Sequence, residues 1–78
     1  MSEVLRDEHT VGKVVAVHPE TVHVLSEAGV DFELLVPPGA TFDLDELRRF
    51  VDTDQPVRVR FKGSPGGHSG TLLGFEPA

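Results

Sequence analysis

Three basic residues stand at alternate positions of one short segment, namely Arg58, Arg60 and Lys62. The residues between them are apolar, so a β-strand here would place all three cations on one face. Cations spaced in this way can follow the phosphates of a single-stranded nucleic acid. They can equally be the solvated face of a strand, paired with acidic residues on its neighbours. Further cations that can extend this row are Lys13, Arg48 and Arg49.

A glycine-rich segment, residues 63–70, follows this row and contains His68. Such loops can wrap a phosphate through backbone amides, but neither the Walker pattern nor the dinucleotide-binding pattern is present. No helix pattern follows the segment, so no helix N-terminus would hold an anion there. The composition is more typical of a hairpin connection.

Two histidines flank the first predicted turn. His18 and His23 can lie on one face of a hairpin with Glu20 nearby, an arrangement that could hold a metal loosely. Two surface histidines are the more common explanation, and no metal site is predicted. The carboxylates of Asp52 and Asp54 do not follow the calcium-loop pattern. Since no nucleophile and base stand at a recognisable spacing, the sequence predicts a non-catalytic chain with no cofactor.

The length and the net charge of the chain limit the classes of protein to which it can belong. The chain has 78 residues, no cysteine and a formal net charge of −6. This length fits one domain, and an acidic chain is repelled by phosphate backbones and anionic membranes. No apolar run approaches the roughly 20 residues of a membrane span, and the absence of cysteine fits a reducing compartment. These features favour a small cytoplasmic binding protein without a membrane partner.

Five segments carry strand patterns and one carries a helix pattern, in the order β-β-β-α-β-β. Alternating or β-branched apolar residues mark the strands, and proline and glycine mark the turns between them. We interpret residues 1–10 as a polar N-terminal arm and residues 11–76 as one mainly-β barrel domain. The predicted strands are residues 11–17, 21–25, 30–36, 57–62 and 71–75, with a helix over residues 43–52.

The helix carries the clearest local signal in the chain. Asp43 is suited to cap its N-terminus, and Glu46 lies three residues later, as in a capping box. Phe42 before the cap and Leu47 inside the helix can form a hydrophobic staple. This pattern predicts a helix that begins directly after Asp43.

The third predicted strand has one apolar and one mixed face. Phe32 and Leu34 share the inner face, whereas Asp31 and Glu33 point outward. Applying the same alternation to the second strand gives an outer surface without a stacking aromatic residue. The outward residues of the two strands are predicted to be His23, Leu25, Asp31, Glu33 and Leu35.

The order β-β-β-α-β-β is that of the OB-fold, a five-stranded Greek-key barrel. The string Gly12–Val17 resembles the G-x-V-x-x-V opening of S1-like RNA-binding domains, and Gln55–Phe61 resembles the strand that follows their helix. The resemblance implies a barrel in which the loop that carries His68 often contacts the ligand. The chain departs from S1-like domains on strands two and three, where their surface aromatics are missing. An SH3-like barrel is the alternative fold.

These patterns favour a protein-binding or adaptor module, with single-stranded nucleic-acid binding as the alternative function. A protein partner would contact the outer face of strands two and three, where Leu25 and Leu35 can serve as apolar anchors. Strand addition at an open barrel edge and self-association are other routes. A nucleic acid would instead use the basic row. The predicted interaction residues are Arg58, Arg60, Lys62, His23, Leu25, Leu35 and His68.

Overall fold

Five strands and one helix make up the fold. A computed structural model describes residues 5–63 and 67–78 of the chain. The elements are β1 (Arg6–Val17), β2 (Thr21–Ser26), β3 (Asp31–Leu35), α1 (Leu44–Thr53), β4 (Pro56–Gly63) and β5 (Ser69–Pro77). The strands close into a barrel in the order β1-β2-β3-β5-β4. The predicted mainly-β order with one helix is confirmed.

The barrel encloses one apolar core to which every element contributes. The strands alternate between buried and exposed residues, most regularly on β4. Helix α1 packs against β1 and adds Leu47 and Phe50 to the core. Because a chain of this length buries a smaller fraction of its surface than a larger domain does, these side chains are important to its stability. The core consists of Val14, Val22, Val24, Leu34, Leu47, Phe50, Val57, Val59, Phe61 and Leu72.

Helix α1 begins where its cap predicts. The Asp43 carboxylate accepts hydrogen bonds from the backbone N–H groups of Asp45 (3.1 Å) and Glu46 (3.2 Å). These bonds satisfy two of the donors that a helix start leaves unpaired. Asp54 caps the C-terminus of the helix: its N–H donates to the carbonyl of Phe50, and its own backbone is left-handed (φ 59°), which turns the chain out of the helix. Among the described residues, no helix is long and apolar enough to cross a membrane.

The cap makes a measurable contribution to stability. We expect Asp43→Ala to lower the free energy of unfolding by about 1 kcal/mol, because the two N–H donors lose their partner. Urea denaturation followed by circular dichroism measures the change. Glu46→Ala is the matched control, since Glu46 lies in the first turn of α1 and its replacement removes the same charge from the same end of the helix. If both variants unfold at the same urea concentration, the cap contributes nothing beyond charge.

Strands β1 and β5 extend further than the sequence predicts. β1 begins at Arg6 and not at Val11, so residues 6–10 of the predicted arm pair with β4. β5 begins at Ser69 and continues to Pro77, which leaves a shorter connection after β4 than predicted. Of the glycine-rich segment, residues 64–66 lie outside the described residues. The polar start of β1 lacks an apolar alternation because most of its side chains face solvent.

The barrel is closed by the pairing of β3 with β5, which is parallel and runs from Glu33 to Leu35 on β3. Each strand of the described chain therefore has a neighbour on both sides. The predicted open edge is absent where β3 and β5 pair. Residues 6–10 of β1 and residues 72–77 of β5 pair with β4 alone, so one side of each of these stretches has no strand partner in the described ladders.

Candidate nucleic-acid interface

The basic row of β4 lies on the outside of the barrel. Arg58, Arg60 and Lys62 are all exposed, as their alternation predicts. We call these three residues the basic ridge. Strand β1 lies on one side of the ridge and β5 on the other, so each cation has a fixed neighbour on both strands.

Acidic residues stand beside both ends of the basic ridge. Arg58 faces Glu76 on β5, where its Nη1 atom lies 3.8 Å from the Glu76 Oε1 atom. Both side chains are at least half exposed, so this pair contributes little to stability and leaves the arginine able to exchange partners. Lys62 faces Asp7 on β1 without forming an ion pair in the described part of the chain. The ridge is therefore not a continuous positive track.

Arg60, at the centre of the ridge, has a different environment. Its neighbours across the strands are His9 on β1 and Gly74 on β5. A Cβ atom on Gly74 would lie 2.9 Å from Arg60 Nη2 and 3.6 Å from its Cζ, so the guanidinium packs onto the β5 backbone where a side chain is absent. Within residues 5–63 and 67–78, no carboxylate forms an ion pair with it. Arg60 is thus an exposed cation held against the sheet without an acidic partner there.

The cations expected to extend the ridge have other roles. Lys13 Nζ lies 2.8 Å from the Asp54 carboxylate and joins β1 to the end of α1. Arg48 pairs with Asp45 at 2.9 Å within α1. Arg49 is exposed on the same helix. The sequence could not separate these residues from the ridge, because their positions depend on tertiary contacts.

The outer face of β2 and β3 carries the other predicted interaction residues. Leu25 and Leu35 are both exposed there, as expected. They lie at opposite ends of the two-strand ladder, because Leu25 pairs with Asp31 and Leu35 pairs with Thr21. His23, half-buried, lies between them. The two leucines are therefore separate apolar positions and do not form one patch.

His68 directly precedes β5 and contacts the ring of Phe32. Its ring centroid is 5.7 Å from that of Phe32, which in turn lies 5.5 Å from Phe61. The His68 carbonyl accepts a hydrogen bond from the backbone N–H of Glu33 (3.0 Å). The residue is thus anchored to β3. The sequence had singled it out through its loop alone, and no pattern predicted the contact with Phe32.

The two histidines of the first turn are neighbours, as predicted. The rings of His18 and His23 meet edge to face with centroids 5.8 Å apart. Among the described residues, no group of three histidines, aspartates or glutamates is placed to hold a metal ion. An edge-to-face pair of surface rings accounts for this contact without a ligand.

A groove that the sequence did not predict lies between the β1–β2 turn and the segment that joins β3 to α1. Its volume is about 680 Å³, and its floor includes Leu35 and Phe42. A smaller hollow of about 340 Å³ adjoins it, shares Leu35 and Thr71, and reaches Lys62. We call the larger hollow the Leu35 groove. It is lined by Pro19, Glu20, Leu35, Val36, Pro37, Pro38, Gly39, Ala40, Phe42, Leu44 and Thr71.

The chain is similar to replication protein A of U. maydis in its structure bound to single-stranded DNA, with a TM-score of 0.64 and 21% sequence identity. The match covers 97% of this chain and 62% of the other, so the chain spans less than two thirds of its length. The chain has an OB-like fold. No protein-family model and no curated protein sequence matches it.

The OB-type barrel predicted from the element order is thus confirmed in preference to the SH3-like alternative. Its surface is divided by charge. Asp31 and Glu33 give β3 an acidic outer face, whereas the basic ridge lies on β4. A polyanion would therefore meet attraction on one side of the OB-type barrel and repulsion on the other.

Proposed function

We propose that this OB-type barrel is a non-catalytic module that binds single-stranded nucleic acid through the basic ridge. The structural likeness to replication protein A bound to single-stranded DNA supports the proposal. The observation that carries it is the placement of Arg60, which is exposed, packed onto Gly74 and without an ion-pair partner in the described part of the chain.

The chemistry of Arg60 suits both parts of a nucleotide. A guanidinium group presents several N–H donors in a rigid fork that fits a phosphate. Its planar face can also stack on an unpaired base. Because Gly74 leaves the guanidinium pressed against the sheet, little side-chain freedom is lost on binding. Arg58 and Lys62 follow at about 7 Å on either side along the strand, which lets a single strand contact more than one cation.

Charge sets the expected strength of this interaction. The chain as a whole carries a net charge of −6, and Asp7 and Glu76 stand beside the ridge. Both features oppose the approach of a polyanion. We expect a dissociation constant on the order of 10⁻⁵ M at low salt, in the range of sequence-independent binding. The affinity should also depend steeply on salt.

Fluorescence anisotropy with a labelled oligothymidylate tests the proposal. We expect binding whose logarithmic affinity falls linearly with the logarithm of salt concentration, by about 0.7 per neutralised phosphate. Three ridge contacts then give a slope of about −2. A duplex of the same length is the control, and we expect it to bind more weakly because its bases are not free to stack. An oligothymidylate that causes no anisotropy change at the lowest salt concentration would refute the function.

A further inference from the structure

We propose that the Leu35 groove docks an extended peptide segment that is both apolar and basic. This binding site is distinct from the basic ridge and does not rest on the proposed nucleic-acid function. The ligand is a segment of a partner protein, recognised by an aliphatic or aromatic side chain flanked by lysine or arginine.

The floor of the groove supplies apolar surface that the fold leaves uncovered. Leu35 is 53% exposed although it lies in a strand. Phe42 and Leu44 line the groove beside it, and each is half-buried against the core. The volume of about 680 Å³ falls within the range of about 300–1,000 Å³ that is typical of ligand sites. An apolar side chain of a partner therefore has both space and contact surface here.

The walls of the groove are held by backbone hydrogen bonds. The N–H of Val36 donates to the Glu20 carbonyl (2.8 Å) and so ties the end of β3 to the β1–β2 turn. On the opposite wall, the N–H of Ala40 donates to the Pro37 carbonyl (3.1 Å), and Gly39 completes this turn with a φ of 77°. A preformed groove loses little conformational freedom when it binds a partner.

The rim determines which chemistry fits the groove. Pro37 and Pro38 have no N–H, so they present no backbone donor to an anion. Glu20 is the charged side chain in the lining of the groove, whereas the adjoining hollow holds both Glu33 and Lys62. Neither carboxylate forms an ion pair in the described ranges, 5–63 and 67–78. The negative charge of Glu20 beside an apolar surface favours a partner with positive charge and disfavours a phosphate backbone.

A displayed library of random linear dodecapeptides, selected on the intact chain, tests the proposal. We expect the enriched peptides to combine lysine or arginine with an aliphatic or aromatic residue. A synthetic copy of an enriched peptide should bind Leu35→Lys at least about tenfold more weakly than the wild type. The double variant Glu20→Gln/Glu33→Gln should weaken binding and reduce its dependence on salt. Binding is measured by fluorescence anisotropy.

Val51→Lys is the matched control, because Val51 is an exposed apolar residue on α1 outside the groove. It should bind the peptide as the wild type does. The proposal is overturned if no peptide is enriched, if enriched peptides are acidic, or if they bind Leu35→Lys equally well. It is also overturned if Leu35→Lys dissociates a dimer, since a second copy would then cover the groove. Loss of oligothymidylate binding in Leu35→Lys, without any enriched peptide, would assign the groove to nucleic acid instead.

Discussion

Gly12→Ala should lower the free energy of unfolding by about 3 kcal/mol, at the upper end of the cost of overpacking. Gly12 is buried in β1, where it pairs with Ser26 on β2 and Val57 on β4. A Cβ atom at this position would overlap the carbonyl oxygen of Leu25 and lie 2.7 Å from the Cα atom of Ser26. Because both contacts are backbone atoms, the strands must separate to relieve them. For a chain of this length, total stability is roughly 4–12 kcal/mol.

Urea denaturation measures this effect, and the midpoint should fall by about 2 M or more. Gly39→Ala provides a matched control. Gly39 has a φ of 77°, and a Cβ atom added to it would have no heavy atom of another part of the chain within 4 Å. Its alanine variant therefore carries the backbone penalty alone, about 1 kcal/mol. A Gly12→Ala midpoint no lower than that of Gly39→Ala would contradict the close approach of β1 and β2.

Local signals in the sequence were sufficient for most of the fold. The cap at Asp43 and the alternation of β4 each depend on a few consecutive residues, and both predictions are confirmed. The turn at Gly29 has the left-handed backbone that its glycine permits (φ 81°). Gly12 belongs to the string that resembles S1-like domains, and the structure explains its presence by the proximity of β2. These features follow from residue type and short-range geometry.

The candidate site depended on information that the sequence does not contain locally. Glu76 lies beside Arg58 because β4 and β5 pair in one particular register, and Lys13 meets Asp54 across 41 positions of the chain. Strand register is fixed by the packing of the whole barrel. An isolated glycine within a strand does indicate a close approach of another group. Gly74 therefore indicates from the sequence that some group packs closely against it, but the sequence does not identify that group as Arg60.

The acidic residues beside the ridge also explain why the sequence alone does not distinguish protein binding from nucleic-acid binding. A net charge of −6 disfavours nucleic-acid binding, whereas three alternating cations favour it. In the structure, the two kinds of charged side chain lie on different faces of the barrel. Acidic and apolar side chains lie on the outer face of β2 and β3, and cations lie on β4. One small barrel can therefore offer one surface to a phosphate chain and another to a basic peptide.

Replacing all three ridge cations should have the largest effect on nucleic-acid binding. We expect the triple variant Arg58→Gln/Arg60→Gln/Lys62→Gln to bind oligothymidylate about a hundredfold more weakly than the wild type at about 0.1 M salt. Each phosphate contact contributes about 0.7 logarithmic units of affinity per tenfold change in salt concentration, so the loss of three contacts removes about two logarithmic units over one decade. All three side chains are exposed, so the variant should keep the circular dichroism spectrum and urea midpoint of the wild type. Anisotropy titrations at several salt concentrations measure both affinity and slope.

The control must separate the ridge from net charge. Arg48→Gln/Arg49→Gln removes two cations that lie exposed on α1, and we expect it to weaken binding by less than about threefold, because screening limits distant charges. The salt slope gives an independent criterion: it should approach zero in the ridge variant and stay unchanged in the helix variant. Equal losses in both variants would mean that binding follows the charge of the whole chain. Loss confined to the ridge variant, with a smaller slope, would place the phosphates on β4.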